Sequence, residues 1–163
     1  MVPEWGVPYA VAVIDAELKS FLEPDRVVSV GTTSDDLIPS GVRAWGPTVS
    51  EDGSSIQMFL DRPSAASVIA NLRDNGRVAV CFTHIYTLRS VQLKGRCVEI
   101  GDPSAEDWPV IEKHRSGFAE AAEVIGYPRP LIRNLWSTQV VKIRMVVDEI
   151  FDQTPGPGAG GRL

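Results

Sequence analysis

The stretch STQVVKIRMVVDEIF (137–151) places Val141, Ile143, Met145 and Val147 on one face and its polar residues largely on the other. That period of two belongs to a strand with one buried face and does not suit a helix, whose faces repeat every 3.6 residues. Shorter segments carry the same period. RVVSVGTT (26–33) alternates through Val28 and Val30, and GVRAWGPTVS (41–50) is strand-like but interrupted at Gly46-Pro47. The turn EDG (51–53) leads into SSIQMFL, with Ile56, Met58 and Leu60 on one side. RVAVCFTH (77–84) and SVQLKGRCVEI (90–100) complete the set, with Gly95 expected as a bulge or bend.

Three segments break the strand pattern. DAELKSFLE predicts a short helix, capped by Asp15 and stopped at Pro24. SAASVIANLRDNG (64–76) predicts a second, with Ser64 as its cap, an apolar stripe through Val68, Ile69 and Leu72, and Gly76 as its left-handed stop. A long helix is expected from Ser104, with Asp107 at the capping-box position and Gly126 at its end. Six strands joined mostly by tight turns imply an antiparallel sheet, and with so few helices the sheet must curl to cover its edges. The expected fold is therefore mostly β (α+β): a six-stranded antiparallel barrel with flanking helices, in one domain over 1–153. The Pro/Gly-rich tail TPGPGAGGRL (154–163) is expected to be a mobile terminus.

Charge and motif content narrow the function. Sixteen basic against twenty-one acidic residues leave a net charge of −5, which argues against a nucleic-acid surface but allows one small anionic ligand at a local Arg. YAVAVI (9–14) falls far short of the roughly 20 residues of a membrane span. The residues before it hold Glu4 and two prolines without Lys or Arg, unlike a signal peptide. A cytoplasmic protein is expected, with Cys81 and Cys97 as small, reduced core residues and no zinc-ligand spacing. The two histidines are His84 and His114, and the second, in IEKHRSG, reads as a solvated helix residue. No GxSxG, HExxH or phosphate-loop pattern is present, so hydrolase chemistry has no support.

Three polar clusters remain. VRAWGPT carries Arg43 and Trp45; LDRPSAAS passes from a strand into a helix start with Arg62, Ser64 and Ser67; HIYTLRSVQLKGR gathers His84, Tyr86, Thr87, Arg89 and Ser90 where a strand begins. A helix start offers free N–H groups and a positive dipole end to a phosphate. Taken singly, each cluster has an ordinary structural explanation: a solvated Arg, a helix cap, a loop packed on a tyrosine.

Their order along 26–100, with NLRDNGRVAVCF and RSVQLKGR, resembles the FMN-binding split β-barrel family typified by pyridoxamine 5′-phosphate oxidase. The ending DQTPGPGAG is similar to the tail of some of its members. The resemblance implies a homodimer with two cofactor sites at its interface. It places Arg43 at the flavin phosphate or ring, with Ala44, Trp45 and Gly46 following along the isoalloxazine edge. Leu60, Asp61 and Arg62 fall at the strand end, Ser64 and Ser67 near the phosphate, and Arg89 and Ser90 at the family's Arg-Gln pair, with Ser90 replacing the glutamine. Trp45, or Trp136 of the partner subunit, is expected near the ring. Two departures stand out. Ala65-Ala66 occupies the place of an Arg-Lys pair on the flavin phosphate, and Lys142 and Arg144 have no evident counterparts among the substrate-gripping residues of the oxidase. The resemblance therefore implies an FMN-binding oxidoreductase-like protein that moves two electrons between a small substrate or nicotinamide and an acceptor, and not pyridoxamine phosphate oxidation. Deazaflavin F420, haem (with His84 as the first ligand to suspect) and a non-enzymatic dimeric binding protein stay open as alternatives.

Overall fold

The computed structural model describes residues 11–163. The residues before Val11, including the start of YAVAVI and the segment preceding it, lie outside the described residues. Six strands, β1 (Val27–Thr33), β2 (Pro39–Val49), β3 (Ser55–Asp61), β4 (Arg77–Thr83), β5 (Ser90–Gly101) and β6 (Val140–Asp152), close into an antiparallel barrel in the order β1-β2-β3-β6-β5-β4. Closure pairs both edges of every strand, so the barrel leaves no open edge. β6, the strand with the longest alternating pattern, joins the two halves by pairing with β3 and β5. Its Val141, Ile143, Met145 and Val147 point inward and pack with Val30, Met58, Leu60, Phe82 and Leu93 in the principal core.

Local chemistry explains where the strands bend. The ladder between β5 and β6 slips between Lys94 and Gly95, as the glycine predicts, and a Cβ at Gly95 would lie 1.9 Å from the Val146 carbonyl oxygen. Only glycine lets the two backbones come that close. β2 slips against β3 between Trp45 and Thr48, where Gly46 has φ +56 and Pro47 has no N–H to donate.

Four helices, α1 (Ala16–Leu22), α2 (Ala66–Asp74), α3 (Asp107–Val124) and α4 (Arg129–Arg133), dress the barrel. Asp15 caps α1 as expected, its Oδ1 accepting from the Leu18 N–H at 2.8 Å. Ser64 does not cap α2. It lies in a 3-10 turn, Arg62–Ser64, where its hydroxyl donates to the Asp61 carbonyl, and α2 begins without a side-chain cap. Pro63 is the physical reason, because it sets a tight turn directly after β3. Asp107 accepts from the Ser104 N–H at 2.7 Å, and Gly126 ends α3 with φ +98. α4 follows Pro128 and carries no sequence signal strong enough to have been read.

α3 lies across the outside of β2 and β3. There it buries Trp45, Phe59 and Val140 with Ile111, Phe118 and Ala122 in a second core. Residues 154–163 turn back along β6: the Asp152 N–H donates to the Gly161 carbonyl, the Leu163 N–H donates to the Ile150 carbonyl, and Phe151 bridges Arg162. Cys81 and Cys97 are half-buried free thiols: Cys97 packs against the principal core as expected, whereas Cys81 falls on the outward-facing positions of β4. No helix among the described residues is long and apolar enough to cross a membrane.

Candidate functional site on the outer face of the barrel

Because Val28, Val30 and Phe82 point inward, the alternate residues of β1, β2 and β4 point out. Ser29 pairs with Arg43 on one side and Cys81 on the other, and Gly31 pairs with Gly41 and Ala79. Small side chains thus form a shelf beside one large cation. Arg43 lines a cavity of about 430 Å³ whose other walls are apolar, among them Val27, Ile85, Phe118, Ala122 and Leu131. Its guanidinium sits over the Phe118 ring, 5.1 Å from the centroid. No hydrogen bond or ion pair to the Arg43 guanidinium occurs among the described residues, and burial pushes its pKa below the usual arginine value. An unpaired, half-buried cation in an apolar setting is costly to keep, so it is the group around which a site is best sought.

The other expected site residues are distributed unevenly around it. Ala44 and Leu60 face the barrel interior and are fully buried. Trp45, Gly46 and Asp61 lie beneath α3: a Cβ at Gly46 would be 3.3 Å from the Ile111 backbone, and the Trp45 indole N–H donates to Asp61 Oδ2 at 2.8 Å. Within one chain these three pack the helix onto the barrel and present no surface to a ring. Trp136 joins them edge-on to Trp45, 6.1 Å between centroids. Arg62 is held by the Asp102 carboxylate and the Val140 carbonyl. Ser64 and Ser67 are exposed at the uncapped start of α2, close in sequence to Leu60, which pairs with Ala44.

The turn between β4 and β5 answers for most of the third cluster. His84 Nδ1 lies 3.2 Å from the Thr87 N–H and 3.1 Å from its hydroxyl, the His84 N–H donates to the Arg89 carbonyl, and Leu88 takes φ +59. These polar groups hold their own turn. Tyr86 ties that turn to α3 by donating to the Ala121 carbonyl at 3.1 Å, which sets Ile85 in the cavity wall. Arg89 points elsewhere: it and Arg26 converge on the Phe21 ring at 4.5 and 5.0 Å. Ser90 is buried, with its hydroxyl 2.9 Å from that of Thr83.

α3 buries two polar residues that its hydrophobic pattern does not mark for the core. Arg115, 3% exposed, donates to Asp61 Oδ1 at 2.8 Å and to the Ser137 carbonyl at 3.0 Å, and it stacks on Trp45 and Trp136. His114, expected at the surface, is buried against Trp45, with its pKa lowered to about 4 mainly by desolvation while Asp25 and the Pro24 carbonyl pull the other way. The signal was the spacing Ile111, His114, Arg115, Phe118, which is one helix face. Hydrophobicity alone hides that face, because two of its four members are polar. No group of three or more metal-ligating side chains occurs among the described residues.

The sequence model of pyridoxamine 5′-phosphate oxidase matches residues 14–146, and the chain belongs to that family. No curated protein matches it. Among solved structures, an F420 reductase aligns with a TM-score of 0.54 at 16% identity, over 81% of this chain and 94% of that one. HupZ of Group A Streptococcus aligns at 0.53 and 19%, over 91% and 100%. An FMN-binding protein from Syntrophomonas wolfei subsp. wolfei aligns at 0.50 and 10%, over 82% of each chain. At these identities the likeness is one of fold.

Proposed function

We propose that the protein binds a flavin-type cofactor, FMN in the first instance, and serves two-electron transfer with a small substrate or a nicotinamide donor. Membership of the family supports the cofactor class, and the observation that carries the reading is the unpartnered Arg43 beside the small-residue shelf of Ser29, Gly31, Gly41 and Cys81. A flat ring needs a surface without projecting side chains, which that shelf supplies. A phosphate needs donors, and the uncapped first turn of α2 offers backbone N–H groups together with the Ser67 hydroxyl, to which Ser64 adds its own once that hydroxyl turns from the Asp61 carbonyl. The donor set therefore fits a phosphate, through neutral groups rather than through cations at 65 and 66. Bound flavin would supply the hydride chemistry. The residues of this chain bind and orient: Ser64 and Ser67 hold the phosphate end, and Arg43 stands at the border between shelf and cavity. The proposal includes a homodimer, because the shelf is open to solvent on one side in a single chain.

Titration of the purified protein with FMN, followed by quenching of flavin fluorescence, tests this reading. The expected result is saturable binding, one flavin per chain, weakened about tenfold or more in a Ser64→Ala/Ser67→Ala double variant. Absence of saturation by about 100 µM FMN, on protein that is folded by circular dichroism, rejects FMN. Ala65-Ala66 favours a second reading, deazaflavin F420, and the same titration with F420 separates the two.

A further inference from the structure

We infer that the cavity beside Arg43 is a binding site for a monocarboxylic acid with an apolar body. As the substrate pocket of a flavin site it rests on the reading above; as a binding site it does not, and it is testable without any flavin. The argument begins with what lines it. Val27 of β1 and Arg43 of β2, Phe118 and Ala122 of α3, and Leu131 and Ile132 of α4 line it, and Tyr127 carries one of the few polar atoms besides the guanidinium. Its volume of about 430 Å³ lies within the range of small-molecule sites, roughly 300–1,000 Å³. Leu131, Leu135 and Tyr127 are each just over half exposed and Ile125 just under half, so an apolar surface is left open around the mouth.

The charge of the ligand follows from Arg43. Its stacking on Phe118 fixes the guanidinium plane and leaves its N–H edge to donate. Among the described residues Arg43 is the one cation that lines the cavity: Arg26 and Arg89 turn to Phe21, Lys142 pairs with Asp107, and Arg129 of α4 pairs with Glu123. One guanidinium fork matches one carboxylate in a bidentate pair. The apolar walls then select a hydrocarbon or aryl body over a sugar or a peptide, whose polar groups would be left unpaired there.

Isothermal titration of the full, flavin-free chain with decanoate, and with 1-decanol as the uncharged counterpart, tests the inference. Decanoate is expected to bind once per chain, and more tightly than decanol. Arg43→Ala is expected to weaken decanoate by about 10- to 100-fold, the worth of a charge-assisted hydrogen-bond pair, and to leave decanol unchanged. Leu131→Glu, at an exposed position of α4, is expected to weaken decanoate by setting a like charge at the mouth, so the test stands even if the Arg43 variant fails to fold. No decanoate binding by about 1 mM, equal binding of acid and alcohol, or a decanoate affinity indifferent to both variants overturns the inference. Decanoate binding without FMN binding would uphold the pocket and reject only its role beside a flavin.

Discussion

Replacing Asp61 by Ala should bring the protein close to unfolding, because one carboxylate serves two buried donors and a half-buried third. Its Oδ1 accepts from Arg115 Nη2 at 2.8 Å and from the Ser137 N–H at 3.1 Å, and its Oδ2 from the Trp45 indole at 2.8 Å. Removing it strands a guanidinium that keeps only the Ser137 carbonyl and the more exposed Glu112 carboxylate. Breaking a buried pair from one side costs about 3–5 kcal/mol, and the two orphaned neutral donors keep the figure toward the upper end, about 5 kcal/mol. Domains of this size have about 5–15 kcal/mol in total. The assay is urea unfolding followed by tryptophan emission and by circular dichroism, and Trp45 and Trp136 report directly because both stack on Arg115. Asp61→Ala/Arg115→Met removes the charge as well as its partner and should recover most of the loss. A cost below about 1 kcal/mol for Asp61→Ala, or a double variant no more stable than the single one, refutes the reasoning. Asp61→Asn keeps an acceptor but turns an N–H₂ toward a donor, and should fall between, at about 2–3 kcal/mol.

Two further outcomes follow from single positions. His114 has a folded pKa of about 4 against an ordinary 6.5, so the unfolded chain takes up its proton first as pH falls. Its contribution is complete above about pH 6.5 and is lost on the way down to about pH 4, up to about 3 kcal/mol; pH-dependent urea unfolding of His114→Phe should lack that component, and an unchanged slope between pH 4 and 6.5 tells against the buried neutral histidine. Gly95→Ala would press a methyl group against the Val146 carbonyl oxygen and should cost about 3 kcal/mol, the top of the usual range for overpacking. Thermal melts check this, and a variant with wild-type midpoint means the crossing of β5 and β6 is looser than drawn.

Much of the fold was legible because strands and caps are local. The alternation through Val141, Ile143, Met145 and Val147, the Asp15 cap, the slip at Gly95 and the stop at Gly126 each depend on residues within a few positions of one another. The rule failed where a second local signal overrode it or a contact reached beyond a few positions. Ser64 reads as a cap until Pro63 turns the backbone so that its hydroxyl meets the Asp61 carbonyl. The tail reads as free until Gly160 and Gly161 find the backbone of Asp152 on β6.

The site divides in the same way. That Arg43 sits on an outward position of a strand, and that the order of elements resembles an FMN-binding family, belonged to the sequence by itself, since both depend on period and order. Which cation lacks a partner did not, because pairing is settled across the fold: Arg62 meets Asp102, Arg115 meets Asp61, and Arg43 meets only an aromatic face. The same holds for Trp45, His114 and Arg115. Nothing in their own segments says that α3 will lie over β2 and β3, yet that one packing choice turns a ring-facing tryptophan and a surface histidine into core, and leaves the cavity beside Arg43 as the open part of the surface. Sequence set the faces of each element through side-chain period, and tertiary packing alone decided which faces would meet.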